Sequence, residues 1–111
     1  MLRVSIRRIK PGKEARLRAW LAELNARAEE VRVTFEAETV RAEQAYIIPT
    51  REGPLLVYAV EAESIDRAKE AFRDSQHAID QQHCSVMDEC LGESLGLHPA
   101  YDVAVNHRDR G

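Results

Sequence analysis

Apolar and polar positions alternate at the start of the chain, with Leu2, Val4 and Ile6 on one side and Arg3, Ser5 and Arg7 on the other. A period of two marks a half-buried strand. Pro11-Gly12 interrupts it and the period lengthens. Leu17, Trp20, Leu21, Leu24, Ala28, Val31 and Phe35 then recur at spacings of three and four and form one apolar stripe. The opposite face is charged, with Glu14/Arg18 and Glu23/Arg27 as i,i+4 pairs in the favourable acid-first order. The pattern predicts one helix over about 12–34.

A β-rich stretch follows from Val40 to Ile48, closed by Pro49 and the turn cluster Arg51-Glu52-Gly53-Pro54. Leu55 to Val60 is an unbroken apolar run, and its length and bounding turn predict a strand paired with Val40–Ile48 as a hairpin. Ser64 suits the N-cap of a second helix with Ile65, Ala68 and Phe72 inward. A third helical segment, Ile79 to Leu91, carries Ile79, His83, Val86, Met87 and Cys90 on one face. Gly92, Gly96 and Pro99 break the pattern. Tyr101, Val103 and Val105 then alternate with Asp102, Ala104 and Asn106, which predicts a last strand. His107 to Gly111 reads as a frayed tail.

The predicted order, β-α-β-β-α-(α)-β, is that of an α+β domain of the ferredoxin-like kind, an antiparallel sheet with helices on one face. Burial adds a second expectation. The Leu55–Val60 strand is apolar on both faces, and the helices cover only one. A second copy of the chain is the simplest cover for the other, giving a homodimer in the form of a dimeric α/β barrel. The first helix points the same way: at ~1.5 Å per residue it would be about 35 Å long, more than the radius of a compact chain of this size.

The 111 residues fit one domain, 1–111, large enough to build a core without disulfides. Apolar residues make up 44% and charged residues 32%, a globular balance. A net charge of −3 with both signs intermixed argues against nucleic acid as a partner. No run approaches the ~20 apolar residues of a membrane span, and the N-terminus lacks the apolar core of a signal peptide. Cys84 and Cys90 fall in one predicted helix, about 9 Å apart along its axis, too far to bridge. Free thiols without a leader point to the cytoplasm.

The run Ile9-Lys10-Pro11-Gly12-Lys13, the segment Trp20-Leu21-Ala22-Glu23-Leu24-Asn25 and the segment His77-Ala78-Ile79-Asp80-Gln81-Gln82-His83 resemble a family of uncharacterised bacterial proteins of this length. That resemblance implies membership of the dimeric α/β-barrel, ferredoxin-like superfamily over about residues 2–92, and no established activity. The layout is also similar to that of the sugar mutarotases acting on rhamnose. Those enzymes carry a histidine in the first helix and tryptophans near the C-terminus. Here the first helix has no histidine and Trp20 is the sole tryptophan, so element order and the helix-then-hairpin spacing carry that likeness.

Candidate chemistry gathers in His77, Asp80 and His83. Residues three apart on a helix are neighbours, so Asp80 is placed to reach either histidine. A carboxylate beside an imidazole is the unit of general acid–base catalysis. The spacing matches no zinc signature, and neither metal nor cofactor is expected. His83 shares the inward stripe with Ile79 and Val86, which favours a core histidine hydrogen-bonded to a neighbour. Glu43, Tyr58 and Arg7 are candidate ligand-binding residues: an inward Glu43 would line a cavity, Tyr58 or Tyr46 would wall it, and Arg7 or Arg3 would offer a cation. For Glu43 and for both arginines, plain surface exposure is the competing expectation. The function expected is a small-molecule-binding or enzymatic protein acting on a small polar metabolite by acid–base chemistry. The alternative is a non-catalytic dimeric interaction module.

Overall fold

In the computed structural model, which describes residues 1–105, the order is β1 (Leu2–Ile9), α1 (Glu14–Ala26), α2 (Ala28–Glu38), β2 (Val40–Ile48), β3 (Leu55–Ala62), α3 (Ile65–Arg73), α4 (Ala78–Cys90) and β4 (Leu91–Leu95). The strands form one sheet in the order β2-β3-β1-β4, every neighbouring pair antiparallel. This α+β arrangement is compatible with a ferredoxin-like layout. The hairpin forms where Pro49–Pro54 predicts it. Ser64 caps α3, its hydroxyl accepting from the Arg67 amide at 3.3 Å.

Register assigns the two faces. Leu56, buried in the main core with Leu17, Trp20, Ile79 and Val86, stands opposite Arg7 on β1 and Ile47 on β2. Tyr58 stands opposite Ser5 and Ala45, and Val60 opposite Arg3 and Glu43. Because strand side chains alternate, all of these face the helices. The other face carries Val57 opposite Ile6 and Tyr46, Ala59 opposite Val4, and Leu55 opposite Ile48. It is apolar and open: Leu2 is 55% exposed and Tyr46 51%. The first strand therefore turns its apolar side outward and its arginines toward the helices. A period-two pattern separates two faces without saying which one lies inside.

Two further expectations are corrected. The helix predicted over 12–34 is two helices, broken at Arg27, whose backbone (φ −104°, ψ 31°) ends α1 and starts α2. No glycine or proline marks the break. The Arg27 amide is shared between the Glu23 and Leu24 carbonyls, and its guanidinium holds Glu30 and Gln82 at 2.9 Å. The bend lets α1 pack on α4 while α2 packs on α3 and β2. The 35 Å rod therefore does not exist and lends the dimer no support.

The last strand is Leu91–Leu95, not Tyr101–Val105. Leu91 follows α4 directly, with extended backbone (φ −102°, ψ 137°), and pairs with Ile9. The Lys10 amide donates to the Cys90 carbonyl at 2.7 Å, and the Arg7 guanidinium donates to the Gly92 carbonyl at 2.9 and 3.2 Å. The edge of β1 is thus already occupied when the chain reaches Tyr101, and residues 101–104 are exposed without regular structure. Asn106 and the tail expected at His107–Gly111 lie outside the described residues. No helix among those described is long and apolar enough to cross a membrane.

Candidate functional site

Four elements converge on His83. From α1, the Trp20 indole N–H donates to His83 Nδ1 at 2.8 Å. From β3, the Tyr58 hydroxyl lies 3.3 Å from His83 Nε2 and donates to Glu43 Oε2 of β2 at 3.0 Å. Phe72 of α3 meets the imidazole edge-on, ring centroids 5.9 Å apart. An indole nitrogen only donates, so Nδ1 is an acceptor and the neutral ring carries its proton on Nε2. The result is a directional chain, Trp20 to His83 to Tyr58 to Glu43, in which every link is a donor feeding an acceptor.

Electrostatics agree with that assignment. Burial pushes His83 down to about 4, despite the opposing pull of Asp80, so the ring is neutral near pH 7. Burial, followed by the Glu43 charge, pushes the Tyr58 phenol well up. Burial also raises Glu43, against the lowering effect of the Tyr58 hydrogen bond. Glu43 is the proton-accepting end of the chain and the group in it best suited to exchange a proton with a ligand.

A second carboxyl pair lies behind the first. Glu38, at the end of α2, is 5% exposed and Asp80, in the first turn of α4, is 8% exposed. Asp80 accepts from the Ser75 hydroxyl at 2.6 Å. Glu38 Oε1 has no hydrogen-bond partner among the described residues; Asp80 and Thr34 are among the side chains that act on the carboxyl. Two neighbouring buried carboxyls do not both ionise readily, because like charges repel. Burial and the Asp80 charge push Glu38 up to about 8, so Glu38 is the protonated member. Thr39 beside it has a left-handed backbone (φ 57°), which a β-branched residue adopts only under strain.

A cavity of about 430 Å³ opens between the sheet and α3/α4, with Arg3, Arg7, Glu38, Glu43, Tyr58 and His83 among its lining residues. Another of about 460 Å³ lies between α1/α2 and β2. Glu43 and Tyr58 line both and form the partition between them. Among the described residues, no group of three His, Cys, Asp or Glu side chains is placed to hold a metal ion.

The chain belongs to a family of unknown function (DUF6176), whose model matches residues 2–109. No curated protein and no solved structure matches it.

Of the residues expected to carry chemistry in this family member, His83, Glu43, Tyr58 and Arg7 meet at the cavity. Asp80 sits behind Glu38 and bonds to Ser75 rather than to a histidine. His77 is the exposed N-cap residue of α4 and lies outside the cavity lining. Tyr46 faces the open side of the sheet. Cys84 is exposed and Cys90 buried, both free.

Sequence reasoning did not single out Trp20, Glu38 or Lys69. Trp20 read as one more residue of an apolar stripe, yet a buried indole N–H needs an acceptor, and an inward histidine is a natural one. Glu38 had a signal too: an acid in the last turn of a helix opposes the helix dipole.

Proposed function

We propose that this protein binds a small polar metabolite in the cavity beneath α3 and α4 and acts on it by proton transfer. Glu43 accepts or returns the proton, and Tyr58 and His83 set its basicity. The observation that carries this reading is the hydrogen-bond chain from Trp20 to Glu43 on the wall of that cavity. A neutral imidazole with Nδ1 already engaged is a hydrogen-bond donor rather than a base. That moves the base from His83, Asp80 or His77 to Glu43. In this scheme Asp80 acts through Glu38, and His77 has no part in the step.

The protomer has a ferredoxin-like layout and works as a cytoplasmic homodimer, the open sheet faces of two copies closing a dimeric α/β barrel. The apolar face formed by Leu2, Val4, Ile6, Tyr46 and Ile48 supports that pairing. A second reading, a binding module without catalysis, is favoured by the tight enclosure of His83 among Trp20, Tyr58 and Phe72.

The test is a panel of small hydroxy and keto metabolites incubated with the protein in D2O and followed by proton NMR. Loss of a carbon-bound proton signal with wild-type protein but not with Glu43→Gln supports proton transfer. Ligands that bind without any exchange support the binding module. If no member of the panel binds or exchanges, the small-metabolite reading is wrong.

A further inference from the structure

The covered face of a central strand is normally apolar, because a charged side chain there loses water without gaining a partner. β1 lies between β3 and β4 and presents Arg3, Ser5 and Arg7 to the helices. Arg7 has a structural use, tying Gly92 to the strand. Arg3 has none: among the described residues, neither its guanidinium nor the ammonium of Lys69 on α3 takes part in an ion pair or side-chain hydrogen bond. Both stay exposed to solvent while lining the cavity beneath α3 and α4, so each keeps its charge and is free to meet a ligand.

The rest of the lining sharpens the point. Val60, Ala68, Phe72, Met87 and Leu91 give that cavity an apolar wall. Its acidic groups are Glu38, Glu43 and Asp88. The first two are displaced toward the neutral acid, chiefly by burial. Three cations therefore line a greasy pocket in which burial weakens the charge of two of the three acids. A ligand carrying its own negative charge restores the balance, and an apolar body fills the remainder.

We propose that the cavity takes a small amphipathic carboxylate, its carboxylate held by Arg3 and Lys69 and its apolar body against Val60, Phe72 and Met87. The inference rests on reading this cavity as the ligand site and names the class of ligand it takes. A guanidinium offers a carboxylate two parallel N–H donors, and the lysine adds a point charge. The carboxylate is thereby anchored at the β1 and α3 side, with the body of the ligand directed toward Tyr58 and Glu43.

The test uses hexanoate, 1-hexanol and hexylamine as probes of equal chain length, with binding measured by calorimetry and by NMR of the Trp20 indole and His83 imidazole. Hexanoate is expected to bind about tenfold more tightly than either other probe, from charge-assisted hydrogen bonds it alone can make. Arg3→Gln and Lys69→Gln should each weaken hexanoate about fivefold and leave hexanol unchanged. The ligand class is overturned if hexanol or hexylamine binds as tightly as hexanoate, or if both variants bind hexanoate like wild type, while the cavity reading then stands. If none of the probes shifts the Trp20 or His83 signals, the cavity reading falls and this inference with it.

Discussion

The indole nitrogen of Trp20 lies 2.8 Å from Nδ1 of His83, although the two residues come from different helices and are 63 positions apart. Their rings are inclined by 28° with centroids 6.1 Å apart. That single contact fixes the tautomer of the imidazole and with it the direction of every later donor in the chain to Glu43.

Replacing Trp20 by Phe keeps an aromatic ring and removes the donor. With Nδ1 free to take a proton, His83 should titrate higher than its native value of about 4. Long-range ¹H–¹⁵N NMR should show the ring losing its pure Nε2–H form. Stability should fall by about 1–3 kcal/mol, the cost of an unsatisfied buried acceptor, as read from urea unfolding. An unchanged tautomer and pKa would show that burial alone holds the ring neutral.

Glu38 and His83 give stability opposite slopes with pH. Glu38 is raised to about 8, so between its unfolded value near 4.5 and 8 the folded state binds more protons than the unfolded one. Its contribution is complete below 4.5 and is lost as pH rises through 8. His83 is depressed to about 4, so its contribution is complete above 6.5 and is lost as pH falls toward 4. Between pH 6.5 and 8 only the Glu38 effect remains among these two, and stability should decline with a slope of up to about 1.4 kcal/mol per pH unit. Glu38→Gln should flatten that decline. Urea midpoints measured across the interval decide it, and an equal slope in the variant would refute the protonated Glu38–Asp80 pair.

Tyr58→Phe deletes the link between His83 and Glu43 without changing the ring. Glu43 Oε2 then loses its phenol donor, leaving burial and the Asp80 charge, both of which raise the carboxyl, so its pKa should rise further. Carboxyl ¹³C titration reads this directly. The stability loss should be about 1–2 kcal/mol for the broken buried hydrogen bonds. A fall in the Glu43 pKa would mean that the phenol is not its principal donor.

The open face of the sheet predicts self-association. Sedimentation equilibrium at micromolar concentration should return about twice the chain mass of 12.6 kDa. Val4→Asp, which places a charge opposite Ala59 on that face, should shift the protein to monomer while far-UV circular dichroism stays unchanged. A wild-type monomer would remove the second copy from the proposal.

The order of the first elements, the hairpin turn, the Ser64 cap and the inward stripe of α4 were all legible in the sequence, because each depends on neighbours within a few residues. Period, turn chemistry and capping are local, and they also marked the Leu55–Val60 strand as apolar on both faces. Other features were settled only when distant parts of the chain met. Arg27 ends a helix without glycine or proline because α1 and α2 pack on different partners. Leu91–Leu95 is the edge strand because Ile9 and Arg7 of β1 receive it, while the better alternation at Tyr101–Val105 meets no strand. The site follows the same division. His83, Glu43, Tyr58 and Arg7 were recognisable as residue types that do chemistry, but Trp20 and Glu38 were assigned by contact, Asp80 took Ser75 rather than a histidine as its hydrogen-bond partner, and His77 fell outside the cavity lining. Alternation along β1 named its two faces; which of them lies beneath the helices was decided by its antiparallel register with β3, and that register is what turns Arg3 and Arg7 toward a cavity.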